Sequence, residues 1–166
     1  QAKAFARVSH EYLFMVLKAL GFGDNFIKWV KLLYTNIGSR IFVNGYLSDF
    51  FKVIRSMRQG CGLSALLYVL CIEPLAHRVR SSLDIQGIRM PGCSEELRIS
   101  LYADDTTTAS ADVVSVNNCI KLFENFSAAS GAALNKTKCA ALVVGGQIST
   151  AGLPTWLPVK SNVKIC

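Results

Sequence analysis

The chain has 166 residues, the length of one domain or a piece of something larger, with 51% hydrophobic and only 17% charged residues. Soluble domains carry about 25% charged residues, so this composition excludes intrinsic disorder; 12 Gly and 4 Pro without a repeat exclude a fibrous chain. The net charge of +7 is lopsided, with eleven basic and four acidic groups in residues 1–83 and seven of each in 84–166. A basic half points to an anionic partner, nucleic acid ahead of membrane, with ordinary solvated lysines and arginines as the even alternative.

In chain order, Ser9 can cap a helix through Leu20, with Tyr12, Val16 and Ala19 or Leu20 on one face and Gly21 past its end. Asp24 opens a second helix to about Asn36, with Phe26, Val30 and Leu33 apolar and Lys28 and Lys31 turned outward. Arg40 to Val43, then Asn44-Gly45, then Tyr46 reads as a hairpin, because Asn-Gly tolerates the positive φ of a type I′ turn. Residues 58–64 read as a glycine-containing loop before an apolar helix from about Leu63 to Val79. Leu97 to Ala109 changes to a short strand, an acidic step at Asp104-Asp105 and a Thr-rich run, a second hairpin with its acids at the tip. Asp112 caps a helix through about Ser130, with Val116, Ile120 and Phe123 on one face and Gly131 as its stop. Ala140 to Val144 reads as a strand, and residues 145–166 as a loop-like tail. From residue 63 the order is helix, strand–turn–strand, helix, strand. One strand added before it would complete βαββαβ, an α+β fold with an antiparallel sheet and two helices on one face.

The longest apolar run, Ala65 to Ile72, stops at Glu73, short of the ~20 residues a spanning helix needs, so no membrane association is expected. The cysteines lie far apart, except for Cys61 and Cys71, with no CxxC pair and no signal-peptide pattern. Reduced thiols in an intracellular protein are the expectation. The chain begins without Met and ends without a closing signal, so both ends are expected to be cuts.

Leu101-Tyr102-Ala103-Asp104-Asp105 is the sharpest chemical feature. Adjacent carboxylates repel unless a cation lies beside them, and oxygen ligands of this kind suit Mg²⁺ or Mn²⁺. Taken by itself an Asp-Asp pair is more often a solvated turn. Its company changes the balance. Arg58-Gln59-Gly60-Cys61 with Leu63-Ser64 and Ile72-Glu73-Pro74-Leu75-Ala76 precedes it. Phe126, Ser130-Gly131, Leu134-Asn135 and Lys138 follow it, and Lys3-Ala4-Phe5 with Arg7-Val8 and Ser9-His10 opens the chain. With these four ordered motifs, residues 1 to about 145 resemble the reverse transcriptases of non-LTR, LINE-type retrotransposons.

The resemblance implies a polymerase palm, spanning 1–144, whose fingers and thumb lie elsewhere in a parent polyprotein. It implies RNA-directed DNA synthesis with an RNA template, a DNA primer, deoxynucleoside triphosphates and Mg²⁺ or Mn²⁺, inside a cytoplasmic or nuclear ribonucleoprotein. Asp104 and Asp105 would be metal ligands, and Lys138 would lie near the triphosphate, although a plain surface lysine is an equal reading. Gln59 and Gly60 would contact the incoming nucleotide, and Phe5 would gate against a ribose 2′-hydroxyl. Lys28, Lys31, Arg55 and Arg58 would contact phosphates. The sequence departs from the family pattern at Ala6, where Asp is usual, and at Gly62 and Ala65, where prolines are usual. The family's first metal-binding Asp would fall one position before Gln1, so the first strand of the sheet is expected to be truncated and this chain alone inactive. A non-catalytic remnant that binds nucleic acid or a protein partner is the alternative.

Overall fold

Ser9 starts the first helix, α1 (His10–Ala19), by accepting the Tyr12 N–H on its hydroxyl at 3.1 Å. Gly21, at φ +80, ends it: its own N–H reaches Lys18 O and the Phe22 N–H reaches Leu17 O, the paired bonds of a Schellman stop. The computed structural model describes residues 7–57, 61–102, 105–145 and 149–160. Within them follow α2 (Asp24–Tyr34), α3 (Gly62–Ser81) and α4 (Val113–Ser130). Asp112 Oδ1 caps α4 through the Ser115 N–H at 2.7 Å, and Gly131 leaves it at φ +78.

Helix α3 is the centre of the molecule, packed on α1 and α4, while α2 packs on α1. Leu67, Tyr68, Cys71, Ile72, Leu75 and Val79 of α3 meet Leu13 and Leu17 of α1, and Cys119 and Phe123 of α4, in one buried cluster. By length and composition α3 could cross a membrane, but these contacts make it a core helix. Burial of the Cys71 thiol pushes its pKa up to about 12, and burial, then Cys71, does the same to the Tyr12 phenol.

The helices lie where expected, but their faces are rotated. On α1 the buried set is His10, Tyr12, Leu13, Val16 and Leu17, with Ala19 and Leu20 exposed. On α2 it is Ile27, Val30 and Tyr34, whereas Phe26 and Leu33 face outward. On α4 it is Ser115, Cys119, Phe123, Phe126 and Ser130, while Val116 and Ile120 are only half-buried. Each helix carries two apolar stripes, and spacing alone does not say which one meets the core. The expected loop over 58–64 is also shorter, because Gly62 is already the first residue of α3 and Cys61 its N-cap.

Among the described residues the strands pair as five separate two-stranded ladders. The first is β1 (Gly38–Ser39) with β4 (Phe51–Lys52), antiparallel. It carries at its tip β2 (Phe42–Val43) with β3 (Tyr46–Leu47), turned through Asn44 at φ +49 and Gly45 at φ +85 as a type I′ hairpin requires. Further along are β5 (Ile88–Arg89) with β6 (Glu96–Leu97), then β7 (Ile99–Tyr102) with β8 (Asp105–Thr108), both antiparallel. Finally β9 (Ala141–Leu142) pairs in parallel with β10 (Val159–Lys160). The class is thus α+β. Among the described residues β9 pairs with β10 and does not join β7 and β8 in one sheet. The stretch from Gly145, expected as loop, folds back through β10 and through Asn117, whose side-chain amide donates to Gly152 O at 3.0 Å.

Candidate functional site

Alternation along β7 turns Ile99 and Leu101 toward the core, where they pack on the buried cluster, and leaves Ser100 and Tyr102 outside. Ladder pairing sets Thr106 opposite Leu101 and Asp105 opposite Tyr102. Asp105 therefore starts β8 on the outer face beside a Tyr102 that is 74% exposed. Its carboxylate makes no hydrogen bond or ion pair with another described residue. Asp104 lies outside the described residues, and among those described no three acidic, His or Cys side chains gather as a metal site.

The base of this hairpin is fixed by a pair that sequence reasoning missed. Arg98 Nη1 donates to Ser82 O at 2.6 Å and Arg80 O at 2.8 Å, which ties β7 to the exposed carbonyls at the end of α3. Arg98 Nη2 also pairs with Glu96 Oε2 at 3.2 Å, and the Gly87 N–H donates to the same oxygen at 3.1 Å. The Gly87 N–H first, then Arg98 and Arg89, hold the Glu96 carboxyl below its ordinary value. The only signal for this in the sequence is the Glu96-x-Arg98 spacing, which puts both side chains on one face of an extended segment.

Three motif segments meet at a second place. The Ser9 N–H donates to Ser130 O at 2.9 Å and the Ser56 N–H to Val8 O at 3.1 Å, so residues 8–9 lie between Ser56 and the end of α4. Ser9 and Arg55 pair as an isolated antiparallel bridge. His10 Nε2 lies 2.9 Å from Ser56 O, and since a carbonyl can only accept, Nε2 carries the proton. Ser56 itself sits at φ +100, a conformation that costs a non-glycine residue energy and that these bonds sustain. Buried Tyr34 then spans the loop that follows, its hydroxyl 3.6 Å from Met57 Sδ on one side and 3.5 Å from Ser64 Oγ on the other. Ser130 closes the group by accepting the Ala132 N–H at 3.1 Å while donating to Phe126 O at 2.7 Å.

Of the expected site residues, Phe5, Arg58, Gln59, Gly60 and Asp104 lie outside the described residues. Arg55 is exposed, with its guanidinium laid beside Gly131. Lys28 and Lys31 are exposed on α2 as expected, and Lys31 Nζ stands 5.4 Å over the Phe14 ring. Lys138 is exposed in the turn after Asn135, and no described contact joins it to Asp105.

The motif order thus has a spatial counterpart: the segments flanking the glycine loop, the chain start and the end of α4 are hydrogen-bonded together. The profile of the reverse transcriptase (RNA-dependent DNA polymerase) family matches residues 1–164. The chain belongs to that family. Three similar curated proteins carry transposon or retrotransposable-element names. The Transposon TX1 149 kDa protein of Xenopus laevis is 34% identical over 145 residues, which is 87% of this chain and 11% of that protein. The Pol polyprotein of the type-2 retrotransposable element R2DM of Drosophila melanogaster is 25% identical over 88% of this chain and 13% of its own length. That of the type-1 element R2 of Popillia japonica is 25% identical over 84% and 23%. The chain spans less than a quarter of each of these three relatives, and the resemblance to LINE-type reverse transcriptases drawn from its motifs is borne out.

Proposed function

We propose that this chain is palm material of a retrotransposon reverse transcriptase, and that synthesis belongs to the longer protein rather than to this segment alone. The reaction is nucleotidyl transfer, in which a primer 3′-hydroxyl attacks the α-phosphate of a deoxynucleoside triphosphate and pyrophosphate leaves. The observation that carries this reading is the Asp105 carboxylate, without a partner among the described residues and displayed opposite Tyr102 on a hairpin braced against the core. Asp104 and Asp105 would hold Mg²⁺ or Mn²⁺, which supplies positive charge to the phosphate oxygens. Asp105 fits one carboxylate's share of such a site, the usual protein contribution to a Mg²⁺ that keeps water and phosphate ligands.

Gln59 and Gly60 would contact the nucleotide, and the support for this is indirect: both flanks of their loop are pinned, by His10 and Tyr34. Phe5 would gate the sugar. Lys138 would meet the leaving phosphate, and Arg55 and Arg58 the backbone of the template–primer duplex. In the palm reading β7 and β8 belong to a larger ferredoxin-like sheet completed by a strand of the parent protein.

Primer extension by the full-length protein tests this. Template- and Mg²⁺-dependent synthesis abolished by Asp104→Ala and by Asp105→Ala is the expected result. No synthesis from an otherwise folded protein that still binds primer–template would replace this reading with that of a binding remnant.

A further inference from the structure

We propose that the outer stripe of α2 is a stacking site for an unpaired base of single-stranded nucleic acid, with Trp29 as the platform and Lys28 and Lys31 on the flanking phosphates. This rests on the nucleic-acid reading above and names the strand type and the aromatic contact. At ~100° per residue, Trp29 and Leu32 point opposite to the buried set Ile27, Val30 and Tyr34. They are 68% and 63% exposed, so the core of this molecule gives no reason for a tryptophan there. Asn25, Lys28, Trp29 and Leu32 line a shallow groove of about 350 Å³. Asp24, in the first turn, is the one acid of the helix. Lys31 on the same flank is steadied over the Phe14 ring.

A flat aromatic surface bordered by Lys28, with Lys31 about 60° further round the helix on the same flank, suits a ligand that is itself a flat ring beside an anion. Base–aromatic stacking contributes about 1–3 kcal/mol per base and is indifferent to sequence. A protein partner is the poorer match, because lysine is depleted from the centres of protein interfaces, and here Lys28 lies in the groove beside the tryptophan.

The test is fluorescence titration of the full chain with oligo-rU and oligo-dT of about twelve nucleotides, alongside primer–template binding. Trp156 is half-buried with Lys136 Nζ 4.9 Å above its ring, so Trp156→Phe isolates the signal of Trp29. Quenching in Trp156→Phe is expected, with affinity about five- to a hundred-fold weaker in Trp29→Ala and partly restored in Trp29→Phe. Lys28→Ala with Lys31→Ala should flatten the slope of log affinity against log salt by about 1.4. Quenching by oligo-rU alone would assign an RNA strand and by oligo-dT alone a DNA strand, and either supports the proposal. Unchanged affinity in Trp29→Ala with intact primer–template binding overturns the stacking site and leaves the polymerase reading standing. Absence of any oligonucleotide binding by the unsubstituted chain overturns the stacking site, while primer extension by the longer protein decides the polymerase reading. Trp29-dependent self-association without oligonucleotide would make the stripe a protein contact instead.

Discussion

Gly131 shows how a motif residue can be fixed by backbone geometry before any chemistry is asked of it. Its φ is +78, and a Cβ there would stand 3.0 Å from Arg7 O and 3.2 Å from Arg55 Nη1. The arginine tip can move, but the carbonyl belongs to the segment that Ser130 anchors. Gly131→Ala is expected to destabilise the chain by about 1–2 kcal/mol from the left-handed backbone alone, read as a lower urea midpoint with an unchanged slope. Glu96 makes a pH-dependent prediction. Its folded pKa lies below the ordinary value of 4.5, so the stabilisation is fully present above that value and is lost as pH falls through the folded one. Glu96→Gln should therefore unfold more readily than the parent at neutral pH, and the difference should shrink in acid. Urea midpoints of both proteins across that range check it, and a constant difference would show that the carboxylate charge is not what holds Arg98 and the Gly87 N–H.

At the scale of elements, the start of α3 explains one departure from the family pattern and turns it into a prediction. Gly62 is the first helical residue, the position at which proline is favoured because its missing N–H would be unbonded anyway. Cys61 before it, at φ −102 and ψ 122, already has the extended backbone that a residue preceding proline requires. A Cβ at Gly62 meets nothing within 4 Å. Gly62→Pro is expected to stabilise the chain by about 0.4–1 kcal/mol by restricting the unfolded state, seen as a raised thermal midpoint; destabilisation would mean that the helix begins later than Gly62. Other helix ends were legible in the sequence because caps are local: Ser9, Asp112, Gly21 and Gly131 all act where they were expected. Helix faces were less legible. On α2 the outward Phe26, Trp29, Leu32 and Leu33 imitate a core stripe as well as the true one does, and only packing against α1 decides between them. The pairings β1–β4, β5–β6 and β9–β10 were missed because each is a two-residue ladder, too short to show alternation.

Over the whole molecule, the candidate site was legible as an order of motifs but not as a set of contacts. His10, Tyr34, Glu96 and Arg98 brace its parts, and apart from the Glu96–Arg98 pair itself their partners are backbone atoms or residues further off in sequence, which no local pattern encodes. The apolar excess of the composition also acquires a place. Ile41, Phe42, Val43, Tyr46 and Leu47 are all more than half exposed on the β2–β3 hairpin, an apolar, uncharged strand pair of the kind that associates edge to edge. Because these side chains bury little here, replacing them should leave folding stability within about 0.5 kcal/mol while changing self-association strongly. Phe42 and Leu47 face each other across the ladder, so opposite charges keep a favourable cross-strand pair where like charges would repel. Phe42→Lys with Leu47→Glu is therefore expected to raise the concentration at which light scattering sets in, with an unchanged urea midpoint. A lower midpoint would mean that the hairpin packs on the core in solution, and unchanged scattering would move the sticky surface to another exposed apolar stripe, the outer face of α2 first.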